Sequence, residues 1–145
     1  MTKITGTIVV ARKPDDVFAY LDDFNQHPAW QSDVKSTKVL TDGPTRVGTE
    51  VEELRQMGRR SMTTRWRVTS HEPPRRSTFE TYESSMMKPS GVISVAPEGE
   101  GSRVTFELEP NPMGFTKLLM PIIAGQIRKS ITANLAKLKG NLEGA

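Results

Sequence analysis

The chain contains no cysteine, which removes disulfides, thiolate metal sites and cysteine nucleophiles together. It has two histidines, His27 and His71, far apart in sequence, so a histidine-based metal centre is not expected. No apolar run approaches the roughly 20 residues that a membrane-spanning helix needs. The short run Ile8 to Ala11 is followed at once by Arg12-Lys13-Pro14, which is no secretory leader. A preponderance of one charge is also missing: 20 basic residues stand against 17 acidic ones, interleaved, for a net charge of +3. Nucleic-acid binders concentrate basic charge in one stripe, and that stripe is absent. Such a mildly basic surface is compatible with an anionic small ligand without demanding one. There is no internal repeat, low-complexity tract or linker. These absences predict one cytoplasmic domain over residues 1–145, without nucleic acid, metal, cofactor or stable membrane insertion.

What is present is a change of period along the chain. The stretch "KITGTIVVA" (3–11) alternates as a strand, with Ile4, Ile8 and Val10 on one face. "KPDDVFAYLDD" (13–23) opens with Pro14 and two aspartates, which suit the first turn of a helix. Val17, Phe18 and Leu21 then recur at helical spacing. "NQHPAW" (25–30) reads as a second short helix or turn. From residue 34 the period becomes two, in "VKSTKVLT", "TEVEELRQM", "SMTTRWRVTSHE", "STFETYESS", "GVISVAP" and "SRVTFELEP". Six strands joined by short turns make an antiparallel meander, to which the first strand adds a seventh.

After "NPMG" the period turns helical and stays so to the end. Leu119, Ile123, Ile127, Ile131, Leu135, Leu138 and Leu142 form one apolar stripe from about 116 to 143, with Pro121 in the first turn or kinking it. A half-buried sheet and an amphipathic helix each need a cover, and each supplies the other's. The predicted fold is therefore α+β. A curved seven-stranded antiparallel sheet wraps a long C-terminal helix, with two short helices after strand one. Wherever side chains leave the space between them unfilled, a ligand cavity results.

Several stretches carry a resemblance: "PDDVFAYLDDFNQHPAW", "VGTEVEE", "VTSHEPPRRSTFET", "PEGEGSRVTFELE" and the terminal "LLMPIIAGQIRKSITANLAKLKGNLE". In this order the chain resembles the START-like or SRPBCC superfamily with its helix-grip fold. More narrowly, it resembles the bacterial polyketide cyclase/dehydrase and lipid transport group. The resemblance covers nearly the whole chain and implies the fold. Members of the group bind lipids, hormones or polyketides, and some close aromatic rings, so fold alone does not give function.

Alternation places Met62, Thr64, Trp66 and Val68 on one face of their strand and Arg65 and Arg67 on the other; a one-residue bulge would reverse this. The same reasoning turns Phe79 and Thr81, Ile93 and Val95, and Val104, Phe106 and Leu108 inward. Leu119, Ile123, Ile127 and Ile131 oppose them from the helix. Trp30 is either a cavity wall or plain core, and its burial is worth roughly 2 to 3 kcal/mol in both cases. The expected ligand-binding set is Trp30, Met62, Thr64, Trp66, Phe79, Thr81, Ile93, Val95, Phe106, Leu119, Ile123 and Ile127. This wall is apolar with a few hydroxyls and scarcely any ionisable group, which suits a hydrophobic small molecule, lipid or polyketide-like, held as by a carrier or sensor.

His27 has the pKa range of an acid–base catalyst, but no Ser, Asp or Glu at a telling spacing supports it. A surface or capping place beside Pro28 is expected, and a solvent-facing place for His71. No catalytic residue is assigned. A cyclase or dehydrase acting in the same cavity would need a polar group deep inside, such as His27, Tyr82 or Glu83. A ligand-free interaction module would instead show a filled interior and an exposed apolar patch. "DGPTRVG" lacks phosphate-cradle spacing and is given no nucleotide role.

Overall fold

The computed structural model describes residues 3–57 and 59–144. Seven strands, β1 (Ile4–Val10), β2 (Val34–Val39), β3 (Glu50–Met57), β4 (Arg60–Glu72), β5 (Arg76–Glu83), β6 (Ser90–Glu98) and β7 (Gly101–Glu109), form one antiparallel sheet. Its order is β1-β7-β6-β5-β4-β3-β2: a meander whose last strand pairs back onto the first. Between β1 and β2 lie α1 (Pro14–Asp22), a 3-10 turn (Phe24–Gln26) and α2 (His27–Trp30). A second 3-10 segment (Gly114–Leu119) leads into α3 (Met120–Glu143). The expected elements are all found, in order.

Local chemistry accounts for the boundaries. Pro14 stands at the start of α1, with Asp15 and Asp16 in the first turn, where the helix dipole favours negative charge. Val17, Phe18 and Leu21 bury its inner face. Pro121 likewise sits in the first turn of α3, where no amide partner is lost, so the helix starts there and is not kinked. The meander slips register by one residue at two places in the β4–β5 pairing, leaving Tyr82 and Thr69 without opposite residues. The first slip falls between Arg65 and Trp66, but its extra residue, Tyr82, is on β5, and the second leaves Thr69 beyond Val68. β4 therefore alternates unbroken from Thr64 to Val68, and Thr64, Trp66 and Val68 all remain buried on the inner face. The bulge beside Trp66 exists, but its extra residue lies on the partner strand, so the inward face of β4 is not reversed.

The core is in two parts. One lies where the C-terminal half of α3 and α1 cover β1, β6 and β7, and includes Ile4, Val10, Phe18, Val95, Val104, Ile131, Leu135 and Leu138. The other comprises Phe24, Val51, Trp66 and Val68 around β3 and β4. Close approach of α3 to β1 depends on Gly6, because a Cβ there would run into Ile131 Cγ2 and reach Leu135 Cδ1. Ile131 is β-branched and cannot swing aside cheaply. Gly6→Ala is therefore expected to lower stability by about 1–3 kcal/mol in chemical denaturation. An unchanged denaturation midpoint would mean that α3 does not rest on β1 this closely.

Candidate functional site

Between the two core clusters the sheet and helix enclose a cavity of about 910 Å³, the size that holds a drug-sized molecule. Its walls come from every layer of the fold. β4 contributes Met62, Thr64, Trp66 and Val68, β5 contributes Phe79 and Thr81, and β6 and β7 add Ile93, Phe106 and Leu108. Leu119, Ile123 and Ile127 close it from the helical side, and Trp30 from α2. Gly91 on β6 leaves the space that the ring of Phe79 occupies, since a Cβ there would strike that ring. Apart from Val104, which lies in the closed core, all the residues expected from alternation thus surround one space, except Val95. That residue faces inward as expected, but α1 packs on β6 there, and Val95 belongs to the closed core beneath it. The interior is not filled, as an interaction module without a ligand would require.

One end of the cavity corrects the expectation of a wall with scarcely any charge. Glu53 of β3 lies wholly buried, and both of its carboxylate oxygens are engaged. Oε2 is 2.6 Å from His27 Nδ1 and accepts from the Thr37 hydroxyl at 3.0 Å. Oε1 accepts from Arg55 Nη2 at 2.9 Å and from the Trp66 indole N–H at 3.1 Å. Arg55 in turn donates to Asp33 Oδ2 at 2.7 Å and to Gln31 Oε1 at 3.4 Å. His27, Gln31, Asp33, Glu53 and Arg55 all line the cavity. Burial pushes the Glu53 carboxyl up. The hydrogen bond and charge of His27, the charge of Arg55 and the Trp66 hydrogen bond outweigh it and hold the group at about 2. Burial disfavours the Arg55 cation, yet the neighbouring Glu53 and Asp33 carboxylates hold its pKa above the ordinary value.

His27 is therefore neither a surface nor a capping residue. It is buried inside an aromatic enclosure: its ring stacks on Trp66 at 5.8 Å and meets Trp30 and Phe24 edge-on at 5.6 and 5.3 Å. The supporting acid lies 26 positions along the chain, which no local spacing displays. A signal for Glu53 did exist. Thr64 and Trp66 face inward, and residues directly opposite in an antiparallel pair share a face. Thr64 pairs with Glu53 and Trp66 with Val51, so β3 turns Val51, Glu53 and Arg55 to the cavity side. The phase of β4 alone does not reveal Glu53 and Arg55; only its transfer across the hairpin to β3 does.

The remaining polar candidates stay away from the cavity. Tyr82 sits on the outer face, donating to Glu50 Oε1 at 2.7 Å with the Arg67 guanidinium over its ring. Glu83 pairs with Arg65 in solvent. His71 is not solvent-facing as expected: its Nε2 lies 2.8 Å from Asp22 Oδ2, and its ring leans on Phe18. Burial pushes the Asp22 carboxyl up, and the hydrogen bond and charge of His71 offset part of this. Among the described residues, the Trp30 indole N–H and the Thr64 hydroxyl are buried without a partner. The arrangement offers a large apolar space, a few polar atoms and one self-satisfied charge cluster.

Comparison with known proteins agrees with this architecture. Over 138 residues the chain is 25% identical to the protein named Toxin Rv0910 of Mycobacterium tuberculosis, covering 93% of this chain and 94% of that one. TTHA0849 from Thermus thermophilus superposes with a TM-score of 0.85 at 17% identity, covering 97% of each chain. The ZhuI aromatase/cyclase from Streptomyces sp. R1128 superposes with a TM-score of 0.80 at 15% identity, over 98% of this chain and 93% of that one. At such identities the two structures speak for the helix-grip fold alone. The family described as polyketide cyclase / dehydrase and lipid transport matches residues 1–143, and the chain belongs to it.

Proposed function

We propose that the protein binds a hydrophobic small molecule, lipid or polyketide-like, in the cavity between sheet and long helix. The observation that carries this reading is the 910 Å³ space lined mainly by apolar side chains. The proposed contacts are Trp30, Met62, Thr64, Trp66, Phe79, Thr81, Ile93, Phe106, Leu119, Ile123 and Ile127. Their polar atoms suit a guest held by shape and one or two hydrogen bonds. A guest of about 25 heavy atoms at about 0.3 kcal/mol per atom would bind with a Kd on the order of 10 μM.

The protein carries its own reporter, because its two tryptophans, Trp30 and Trp66, both stand in the cavity wall. Titration with an aromatic probe such as anilinonaphthalene sulfonate should quench their emission saturably, with a stoichiometry of one. Non-saturating quenching would count against an internal site.

A second reading, catalysis on the bound molecule, has the His27–Glu53 pair in its favour, since ring closure needs a polar group within the cavity. It ranks second because Glu53, although it borders the cavity, exposes no surface and has both its oxygens already engaged. On this account the pair anchors α2 to the sheet and orients Trp66, and no residue is assigned a catalytic role.

A further inference from the structure

The segment from Pro110 to Leu142 contains Lys117, Arg128, Lys129, Lys137 and Lys139 and no acidic residue, although the whole chain is nearly balanced in charge. Its beginning also holds the most exposed large apolar side chains among the described residues: Phe115 at 69%, Leu118 at 83% and Ile122 at 65%. A soluble surface scatters such residues singly, and a contiguous group calls for a partner. Leu118, Ile122 and Lys129 follow one solvent-facing line at helical spacing. Lys88 is exposed on the neighbouring loop, which Met87 and Met113 tie to the same rim through a β-bridge to Pro112 and a hydrogen bond to Met86. The patch is continuous with the cavity, because Leu119 and Ile122 are at once exposed and part of its lining.

We propose that this rim is a reversible docking surface for an anionic lipid bilayer. Phe115, Leu118 and Ile122 enter the boundary between headgroups and acyl chains, and Lys117, Lys88, Arg128 and Lys129 meet the anionic headgroups. Apolar tips accompanied by cations on the same segments, with no acidic residue from Pro110 to Leu142, match that surface better than they match the face of a second copy, which would bring the same positive charges together. No helix among the described residues is long and apolar enough to cross a membrane, so the contact is peripheral. Its service, passing a poorly soluble molecule between bilayer and cavity without a step through water, rests on the ligand-binding reading above. The docking itself does not.

The test is sedimentation of the purified full chain with vesicles, without any added ligand. Vesicles of phosphatidylcholine alone are compared with vesicles containing about 30% phosphatidylglycerol, enough to set up a negative surface potential. The wild type should sediment with the anionic vesicles only, and high salt should release it. Phe115→Ser/Leu118→Ser and Lys117→Glu/Lys129→Glu should each weaken partitioning at least about tenfold, with the far-ultraviolet dichroism unchanged. Failure of the wild type to bind anionic vesicles, or equal binding by both variants, overturns the proposal. So does a dimer in sedimentation velocity that Phe115→Ser/Leu118→Ser abolishes, for the patch is then filled by a second copy. Probe binding in the cavity is measured separately, so loss of one reading leaves the other standing.

Discussion

Glu53→Gln should cost this domain about 3 kcal/mol or more at neutral pH, which would lower its thermal midpoint by roughly 10 °C. The side chain is wholly buried and takes donors from His27, Thr37, Arg55 and Trp66. Glutamine keeps the shape but removes the charge that compensates Arg55, and it offers an amide where four donors converge. The pH dependence gives this prediction its signature. The carboxyl is held at about 2 in the fold against an ordinary 4.5, a difference equivalent to about 3 kcal/mol. A depressed carboxylate contributes stability that is complete above the unfolded value and lost as the pH falls through the folded one. The gap between wild type and Glu53→Gln should therefore be widest above about pH 4.5 and close progressively towards pH 2. Denaturation midpoints across that range would show it. A constant gap would mean that shape and not charge fixes the contribution of this residue.

Ile127→Trp should abolish or strongly weaken uptake of an apolar probe while leaving the fold intact. Ile127 is only half-buried at the edge of the main core cluster and borders the cavity from α3, so a larger side chain there has cavity space to grow into. Affinity should fall by at least about tenfold, equal to about 1.4 kcal/mol, with stability changed by less than that. Trp66→Ala is expected to reduce uptake as well, but it is the poorer test. Trp66 closes the second core cluster and donates to Glu53, so its loss would cost about 3–5 kcal/mol of stability by itself. Unaltered probe affinity in a folded Ile127→Trp protein would place the bound probe outside the cavity.

How far the molecule could be read from its sequence follows from how local each signal is. Strands and helices announce themselves by period, and every element from β1 to α3 was legible on that ground. Inward faces follow from alternation, which is why Trp66, Phe79 and Phe106 come together around one space. Val95 obeys the same alternation, but whether an inward residue meets helix or empty space depends on where α1 lies, and period carries no such information. The burial of His27 is hidden for a related reason. Its local sequence, beside Pro28 on a short connector, is that of an exposed turn, and its burial comes from a carboxylate on another element. Glu53 stood in "EVEELRQM", where acidic residues alternate with apolar ones at both phases, so composition points either way. Only the pairing with Thr64 across the hairpin decides it.

The space between sheet and helix is proposed to take up a hydrophobic molecule. Native mass spectrometry tests it most directly, on freshly purified protein and again after incubation with long-chain fatty acids and polycyclic aromatics. The wild type should give a one-to-one adduct, releasable into organic solvent and absent from Ile127→Trp. A bare protein mass under every condition, or the same adduct on the cavity-filled variant, would contradict it.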